Sequence, residues 1–227
     1  MLSENYDNGT IIFEKVRVSG TCLNTGGNLL AEVKGGEMAS DIRERIIDAS
    51  WELFHEKGFG ETTINDIINK ADISKGTFYY YFRSKDNLLD TLPEILDREY
   101  ERLEKEEPEG MRSFDKLMWA TNEVHEFIQK NTDYRLFAHL YSAQIIKESG
   151  LSLLDRNRYY FNYIERIMEE GRRSGEFTDI MSLREMVKFF SMGERALITE
   201  WCMNNGNFDL GEYSRKLFPV MMKGLKR

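Results

Sequence analysis

From residue 39 to the end of the chain, apolar residues recur every three or four positions, which is the spacing of amphipathic helices. One face of the first such stretch contains Ile42, Ile46, Ala49, Ser50, Leu53 and Phe54, of which all but Ser50 are apolar. Ser40 or Asp41 suits the N-cap of this helix, and Lys57-Gly58 suits its end. The pattern therefore predicts a first helix that begins near residue 40.

Two short helical segments follow, joined by a tight turn. Thr63, with Asp66 three residues later, has the pattern of a capping box for the first segment. Ser74 is the expected N-cap of the second segment, so the pair predicts a helix-turn-helix. A fourth helix is expected from Ser84, with a kink or stagger at Pro93.

The rest of the chain predicts further helices and no strand of useful length. The charged run from Arg98 to Glu107 is expected to be a solvated continuation of the fourth helix. Five more helical segments are predicted, at 111–130, 132–149, 152–174, 182–204 and 209–226. The fold class is therefore predicted to be all-α.

Residues 1–38 differ in character from the remainder. They are rich in Gly, Asn and Thr, show some strand character at 11–18, and have no helical period. We expect a flexible N-terminal extension. A second hypothesis is that Lys34 to Glu37 is a translated ribosome-binding site and that Met38 is the true start, which the nucleotide sequence would decide.

The composition is that of an ordinary globular protein, with 41% apolar and 31% charged residues among 227. No run of about 18 apolar residues exists, so no membrane span is expected. The two cysteines, Cys22 and Cys202, are expected to be free thiols in a reducing compartment. Because no secretory signal pattern is present either, the predicted location is the cytoplasm.

The net charge of −8 would argue against a nucleic-acid partner if the charge were evenly spread. The segment Ser74–Lys85 is an exception, because it carries three basic residues and no acidic one. The basic residues are Lys75, Arg83 and Lys85. We therefore expect a small basic surface on an otherwise acidic protein.

The same segment contains three consecutive tyrosines, at residues 79–81. Three neighbours cover three sides of a helix, so at least one must face solvent or a ligand. Tyrosine hydroxyls donate to phosphates, and their rings pack against sugars and thymine methyl groups. Phe78 and Phe82 lie four residues apart and are expected to be buried anchors. The composition favours a helix that contacts DNA.

Residues 62–88 (TTINDIINKADISKGTFYYYFRSKDNL) resemble the helix-turn-helix of the tetracycline-repressor family. The family pattern S-x-G-x-[FL]-Y-x-[HY]-F-x-[SN]-K-x-x-L is matched by Ser74, Gly76, Phe78, Tyr79, Tyr81, Phe82, Ser84, Lys85 and Leu88. The resemblance extends from about residue 41 to residue 92. It implies a three-helix DNA-binding unit at 39–85, followed at 86–227 by a larger helical domain for effector binding and dimerisation.

The resemblance also implies roles for individual residues, with double-stranded operator DNA as the partner. The residues that would hold phosphates are Thr63, Tyr79, Tyr80 and Lys85. The residues that would approach base edges are Lys75, Gly76, Thr77 and Tyr81, with Ser74 at the start of the same helix. Three residues are less usual for the family. Position 81 is often histidine and is tyrosine here, Trp51 stands where a small residue is common, and Pro93 is unusual in the fourth helix.

The last two predicted helices, 182–204 and 209–226, share a thick apolar face. Its members are Met186, Phe189, Phe190, Ala196, Leu197, Trp201, Phe218, Met221 and Leu225. In the family these helices pair with their copies in a four-helix bundle, so the resemblance implies a homodimer on a palindromic operator. The alternative is that this face is simply intramolecular core.

The region 111–170 is rich in aromatic residues and methionine. The candidates for an effector pocket are Met118, Trp119, Phe137, Tyr141, Tyr160 and Tyr163. Such a set suits a small hydrophobic or aromatic effector, and it suits ordinary core packing equally well.

No cofactor, metal site or enzymatic activity is expected. His125 and His139 lie in different predicted helices without ligand-spaced partners. The sequence has no Gly-rich phosphate loop, nucleophile elbow or convincing triad. The leading hypothesis is a ligand-released repressor. The alternatives are a DNA-binding co-regulator without a small-molecule effector, and an all-α protein that does not bind DNA.

Overall fold

The computed structural model describes residues 29–146 and 152–227. The chain divides into two units, residues 1–39 and residues 40–227, and the sites described below lie in the second unit. The predicted strand character at 11–18 falls outside the described residues, as does Cys22.

The described residues form nine α-helices and no β-strand, apart from one isolated bridge between Phe177 and Lys226. The helices are α1 (Leu29–Lys57), α2 (Ile64–Ala71), α3 (Lys75–Tyr81), α4 (Leu92–Lys105), α5 (Ser113–Asn131), α6 (Tyr134–Ile146), α7 (Tyr159–Arg173), α8 (Leu183–Met203) and α9 (Leu210–Met221). Short 3-10 segments occupy Asp86–Thr91, Ser152–Leu154 and Met222–Leu225. The predicted all-α class is confirmed.

Helix α1 begins at Leu29, well before the predicted N-cap at Ser40 or Asp41. The prediction of a non-helical extension is therefore wrong for residues 29–38. These residues include several strong helix formers and no proline, so the helix continues across the two glycines at 35 and 36. The predicted end is confirmed, because α1 stops at Lys57 and Gly58 adopts the left-handed conformation with φ of +84°.

Helices α1, α2 and α3 bury their apolar faces in a continuous cluster. Ile46, Phe54 and Ile67 are buried there together with Phe78 and Phe82. The two phenylalanines are the predicted anchors of α3, and their burial is confirmed. Because they fix the inner side of α3, they determine which of its residues remain at the surface.

The predicted fourth helix is divided in two. A 3-10 segment at Asp86–Thr91 precedes α4, and Pro93 lies in the first turn of α4 rather than in its middle. A backbone N–H in the first turn has no intrahelical partner, so proline is tolerated there and does not kink the helix. The predicted kink is therefore replaced by a change from 3-10 to α geometry just before Pro93.

Helix α4 is not uniformly solvated, contrary to the prediction for its charged run. Glu99, Tyr100 and Leu103 are buried on one face, because α4 packs against α5 and α7. The exposed charges occupy the remaining faces, so a charged composition concealed an amphipathic helix.

After α4, helices α5 and α8 each contact several other helices. Helix α5 packs against α7 and α9, and α8 packs against α6, α7 and α9. The predicted helix at 152–174 begins only at Tyr159, because Asp155 forms a turn in which its Oδ1 accepts from Asn157 N at 2.9 Å. None of the described helices is long and apolar enough to cross a membrane.

Candidate nucleic-acid interface and internal cavity

Thr63 begins α2 through a complete capping box with Asp66, as predicted. Asp66 N donates to Thr63 Oγ1 at 3.2 Å, and Thr63 N donates to Asp66 Oδ2 at 2.8 Å. Lys57 Nζ lies 2.7 Å from the same Oδ2, and this lysine together with the Thr63 hydrogen bonds holds the pKa of Asp66 well below its usual range. The start of α2 is thus fixed by a carboxylate that stays charged.

The turn between α2 and α3 is tight. Asp72 adopts the left-handed conformation with φ of 50° and ends α2. Arg45 of α1 donates from Nη2 to Ala71 O at 2.5 Å and to Asp72 O at 3.2 Å. The turn is therefore tied to α1 through its backbone.

Helix α3 begins at the predicted N-cap, Ser74, whose Oγ accepts from Thr77 N at 3.0 Å. The hydroxyls of Ser74 and Thr77 also form a hydrogen bond of 2.7 Å with each other. This pairing fixes the first turn of α3. Thr77 is half-buried.

The outer surface of α3 carries most of the predicted DNA-contacting residues. Lys75 and Gly76 are exposed, Tyr79 is 45% exposed and Tyr80 is 81% exposed. Tyr81 is half-buried, with its ring edge-on to Tyr80 at 4.9 Å between centroids. We call the exposed set Ser74, Lys75, Gly76, Tyr79 and Tyr80 the α3 face.

Lys85 lies differently from the α3 face. Its Nζ donates to Phe59 O at 2.5 Å, to Thr62 O at 2.8 Å and to Gly60 O at 3.3 Å. It also lies 4.3 Å from the centroid of the Phe59 ring. An ammonium has three donors, so in this structure Lys85 is engaged by the connection between α1 and α2.

A cavity of about 50 Å³ lies among α4, α5, α6, α7 and α8. Its apolar wall includes Leu96, Val124, Ile128, Phe137, Leu153 and Ile198. Of the predicted pocket residues, Phe137, Tyr141 and Tyr160 line this cavity.

Met118, Trp119 and Tyr163 do not lie on the wall of this cavity. Met118 and Trp119 are half-buried against the core, and the ring of Tyr163 packs 5.6 Å from that of Tyr100. Pocket and core use the same side chains, so composition could not separate these three from the true wall residues.

Glu194 of α8 is a buried carboxylate on the cavity wall. It accepts hydrogen bonds from Thr121 Oγ1 at 2.9 Å, from the Tyr100 hydroxyl at 3.2 Å and from the Tyr160 hydroxyl. Burial raises the pKa of Glu194, and the hydroxyl donors oppose that rise. Burial, and then the proximity of Glu194, raises the pKa of Tyr100 and Tyr160 well above the usual value, so both remain donors.

Two further side chains on the wall have polar atoms without a hydrogen-bond partner among the described residues. Arg195 makes no hydrogen bond or ion pair with the described part of the chain, whereas Arg158 is paired with Asp97 at 2.7 Å. His125 is 1% exposed, and its Nδ1 has no partner among the described residues. Burial lowers the pKa of His125 to about 3, so the ring is neutral near pH 7.

Sequence reasoning missed Glu194, but a signal was present. Glu194 lies four residues after Phe190 and four before Ile198, both buried, so an acidic residue interrupts an apolar stripe of α8.

His139, one of the two histidines considered as metal ligands, is exposed, and the centroid of its ring lies 5.6 Å from that of Phe59. Within 29–146 and 152–227, no group of three or more His, Cys, Asp or Glu could hold a metal ion.

The predicted dimer face is largely the protein's own core. Its buried members are Met186, Phe190, Leu197, Trp201, Phe218 and Leu225. The large apolar side chains that α8 and α9 do expose are Phe189, Met192, Met203, Tyr213, Leu217, Val220 and Met221. Of these exposed side chains, only Phe189 and Met221 belong to the predicted apolar face. Helical periodicity identified the thick face but could not say which side of it faces solvent.

Two family models match consecutive parts of the chain. The model of the bacterial regulatory proteins of the tetR family matches residues 46–92. The model of the YsiA-like protein C-terminal region matches residues 94–224.

Curated relatives agree with these matches. The "Fatty acid metabolism regulator protein" of Bacillus subtilis is 26% identical over 185 residues, which cover 80% of this chain and 94% of that protein. The "HTH-type transcriptional regulator QacR" of Staphylococcus aureus is 25% identical over 142 residues, covering 60% of this chain and 74% of that protein.

Solved structures share the fold. The transcriptional regulator FadR of Bacillus subtilis, solved in complex with stearoyl-CoA, has a TM-score of 0.60 at 23% identity and covers 80% of this chain and 98% of that one. FadR of Thermus thermophilus, a transcriptional repressor solved in complex with lauroyl-CoA, has a TM-score of 0.61 at 24% identity and covers 82% and 96%. The chain belongs to the tetR family of bacterial regulatory proteins.

Proposed function

We propose that the protein is a homodimeric repressor that binds palindromic operator DNA through α3 and is released by a small-molecule effector held in the cavity. The single observation that carries this proposal is the division of α3. Phe78 and Phe82 are buried, whereas Lys75, Tyr79 and Tyr80 are at the surface. A helix with that arrangement offers a cation and phenol hydroxyls to the major groove and the backbone beside it.

The charge distribution supports DNA as the partner despite the net charge of −8. The segment Ser74–Lys85 has no acidic residue. Local positive charge is sufficient for binding, because the attraction to phosphates falls off within about 10 Å at ordinary salt. The location that we propose for this DNA-binding protein is the cytoplasm.

Exposed apolar residues on α8 and α9 support a homodimer. Phe189 and Met192 lie one turn apart on α8, as do Leu217 and Val220 on α9, and the two helices are in contact. Apolar side chains grouped on adjacent helices mark an interaction surface. A two-fold pairing of this surface would place two copies of α3 against two half-sites.

The polar groups of the cavity wall favour an amphipathic effector with an oxygen-rich end. Arg195 makes no hydrogen bond with the described residues, and His125 Nδ1 has no hydrogen-bond partner among them. Leu96, Ile128 and Phe137 offer apolar surface beside them. Two structural neighbours were solved with acyl-CoA thioesters, and one relative is named a fatty acid metabolism regulator. A long-chain acyl-CoA is therefore the effector that we propose.

The cavity is too small for such a ligand as it stands. Its volume of about 50 Å³ is far below the roughly 300 Å³ at which ligand pockets commonly begin. An acyl chain could enter only if the surrounding helices moved apart, so binding would favour a different conformation. We propose that the conformation with this small cavity is the one that binds DNA.

Contacts between α1 and α4 suggest how the opening would reach DNA. Arg43 of α1 binds Glu94 of α4 in a bidentate ion pair of 2.8 and 2.7 Å. Trp51 Nε1 donates to Thr91 Oγ1 at 2.9 Å. Helix α4 also carries Tyr100 on the cavity wall. A ligand that displaces α4 would therefore move α1 through these contacts, and α3 with it, because α1 and α3 pack in one cluster.

The test is binding of the purified protein to DNA from its own gene neighbourhood, measured by footprinting and fluorescence anisotropy at low salt. We expect one protected palindromic site, and release of that site by stearoyl-CoA but not by coenzyme A alone. Stearic acid in a third arm distinguishes the thioester from the free acid as the recognised chemistry.

The alternatives give different results in the same experiment. Protection that persists with every ligand would favour a co-regulator without a small-molecule effector. Absence of binding to any DNA at low salt would favour an all-α protein that does not act on DNA.

A further inference from the structure

An open cleft of about 430 Å³ lies where the end of α1, the connection from α5 to α6 and the end of α8 come together. Phe54 belongs to the first of these elements, Tyr134 to the second and Gly206 to the third. We call it the α1–α8 cleft. It has no described wall residue in common with the cavity that contains Glu194. Ligand pockets commonly have volumes of about 300–1,000 Å³, so this cleft can hold a small ligand without movement of the helices.

Main-chain contacts fix the shape of the cleft at the end of α8. Asn205 and Gly206 both adopt the left-handed conformation, with φ of 55° and 72°. Gly206 N donates to Trp201 O at 2.9 Å. A Cβ at Gly206 would lie 3.0 Å from Tyr134 Cδ1, so this turn packs closely on the start of α6. The cleft is therefore a preformed part of the fold.

Trp201, on the wall of the cleft, has a donor without an acceptor. Its side chain is 4% exposed, and its Nε1 has no hydrogen-bond partner among the described residues. A buried N–H group that lacks an acceptor costs free energy. An acceptor supplied by a ligand at this wall would remove that cost.

Gln129 and Lys130, at the end of α5, add further donors to the same wall. Gln129 Oε1 accepts from Leu210 N at 2.6 Å and from Gly211 N at 3.4 Å, in the first turn of α9. This pairing leaves the amide NH₂ group of Gln129 as a donor, which makes no hydrogen bond with the described residues. Lys130 is exposed and makes no ion pair or hydrogen bond with them either.

The charges of the wall favour an anion over a cation. Asp133 is a carboxylate on this wall, but Arg135 offsets its charge, with Nε 3.3 Å from Oδ2 and the backbone N donating to Oδ1 at 2.8 Å. The ammonium of Lys130 is not offset in this way by any described residue. Phe54, Tyr134 and Trp201 add ring surface, which suits an aromatic ligand.

We propose that the α1–α8 cleft is a second ligand site, separate from the effector cavity, and that it takes an aromatic carboxylate. Lys130 and the amide of Gln129 bind the carboxylate, because a charged donor with a second N–H beside it is the partner that such a group prefers. The aromatic ring of the ligand lies against the rings of the wall. Binding at this site does not depend on DNA.

The effect of this ligand on DNA rests on the proposed function. A ligand that contacts α1, α6 and α8 together favours the conformation in which they form the cleft. The acyl-CoA effector is proposed to need the helices around the cavity to move apart. The two ligands therefore oppose each other, and the aromatic carboxylate favours the DNA-bound protein.

Isothermal titration calorimetry of the purified full chain with 1-naphthoate tests the site. We expect a dissociation constant of about 0.1–1 mM, as is usual for a ligand of about 13 heavy atoms. The neutral 1-naphthamide has the same shape and should bind at least about tenfold more weakly. Equal affinity for the two compounds, or no binding of either, would overturn the proposal.

Substitutions on the wall separate the two donors. Lys130→Met should weaken 1-naphthoate binding about tenfold and leave 1-naphthamide binding unchanged. Trp201→Phe removes the N–H group and should weaken both about threefold to tenfold. Lys105→Met, at an exposed lysine of α4 outside the cleft, is the matched control and should bind as the wild type does. Melting temperatures verify that each variant is folded, and an unchanged affinity in Lys130→Met would contradict the site.

The indole N–H resonances of the three tryptophans locate the bound ligand. In ¹⁵N-labelled protein, we expect the resonance of Trp201, assigned with Trp201→Phe, to shift most when 1-naphthoate is added. A larger shift at Trp51 or Trp119 would place the ligand elsewhere and overturn the proposal.

Release of DNA by stearoyl-CoA tests the opposition of the two ligands. With 1-naphthoate present, the wild type should need severalfold more stearoyl-CoA, whereas Lys130→Met should need the same amount with and without it. An unchanged or lower requirement in the wild type would overturn the opposition. Failure of the wild type to bind any DNA would contradict the proposed function, and the calorimetry would still decide whether the cleft is a ligand site.

Discussion

Tyr100 of α4 and Glu194 of α8 are joined by a buried hydrogen bond of 3.2 Å from the phenol hydroxyl to the carboxylate. Thr121 of α5 and Tyr160 of α7 donate to the same carboxylate. A single acidic side chain therefore connects four helices at the wall of the cavity. Since α4 also contacts α1, the bond lies between the proposed effector site and the DNA-binding helices.

Glu194→Ala should be strongly destabilising, because it leaves three buried hydroxyl donors without their acceptor. Each unsatisfied buried group costs about 1–3 kcal/mol, so we expect the free energy of unfolding to fall by about 3 kcal/mol or more. Urea denaturation followed by circular dichroism measures the change. Glu200→Ala on the exposed side of α8 is the control and should stay within about 0.5 kcal/mol of the wild type. An equally small effect at Glu194 would contradict the network.

The pKa of Glu194 predicts how stability varies with pH. Burial raises this pKa above the ordinary value of 4.5, so the folded protein binds the proton more tightly than the unfolded chain. The stability from this difference is complete below pH 4.5 and is lost as pH rises through the raised pKa. The wild type should therefore lose stability relative to Glu194→Gln as pH is raised above about 4.5. Parallel pH profiles for the two proteins would show that the carboxyl is not perturbed.

His125 should have the opposite pH dependence. Burial lowers its pKa from 6.5 to about 3, so the unfolded chain takes up a proton that the folded protein refuses. Stability is complete above pH 6.5 and is lost toward pH 3, by up to about 1.4 kcal/mol per pH unit. His125→Leu should flatten this acid limb in a urea titration. His139→Gln, at an exposed position, should keep the wild-type profile.

The local elements of the DNA-binding unit could be predicted because each depends on residues close in sequence. The capping box of Thr63 and Asp66, and the cap at Ser74, need only neighbours three positions away. The surroundings of Lys85 could not be predicted, because its partners lie 23–26 residues earlier and meet it only after α2 and α3 have packed.

The residues of the cavity wall could be predicted from the sequence only in part, again because some contacts join distant parts of the chain. Phe137, Tyr141 and Tyr160 were identified by composition, whereas Glu194 was not. Its partner Tyr100 is 94 residues away and lies in a run that the sequence presents as solvated charge. Which side of α4 is buried depends on α5 and α7, so no local pattern contains that information.

Tyr79→Phe should weaken DNA binding by about threefold to tenfold, on the operator and on random duplexes alike, because a hydroxyl that meets phosphate carries no sequence preference. Tyr80→Ala, at a side chain 81% exposed, should weaken binding without changing the melting temperature. Lys75→Ala should instead alter operator preference. Anisotropy titrations on both DNAs measure the three effects. A Tyr79→Phe loss confined to the operator would assign that hydroxyl to base reading.

Leu217→Glu should produce a monomer, because it places a charge in the exposed apolar group that α8 and α9 share. Analytical ultracentrifugation measures the mass, and operator affinity should fall because one monomer engages only one half-site. Ile180→Glu is the matched control, since Ile180 is 82% exposed but precedes α8. A dimer that survives Leu217→Glu would move the interface elsewhere.

Trp51 forms a second connection between α1 and the segment that leads into α4, through the bond from its Nε1 to Thr91 Oγ1. Trp51→Phe keeps most of the ring and removes the donor, so we expect the free energy of unfolding to fall by about 1 kcal/mol. Thr91→Val removes the acceptor, together with the bond from Thr91 Oγ1 to Leu88 O.

The double variant isolates the bond between the two residues. Urea denaturation of the wild type, both single variants and the double variant should give a coupling energy of about 0.5–1.5 kcal/mol. Trp119→Phe is the control, because the indole of Trp119 makes no hydrogen bond with the described residues and should not couple to Thr91→Val. If the Trp51–Thr91 bond transmits effector binding, the same Trp51→Phe variant should also need more stearoyl-CoA to release DNA. A normal coupling energy with an unchanged ligand response would make the bond purely structural and leave transmission to the Arg43–Glu94 pair.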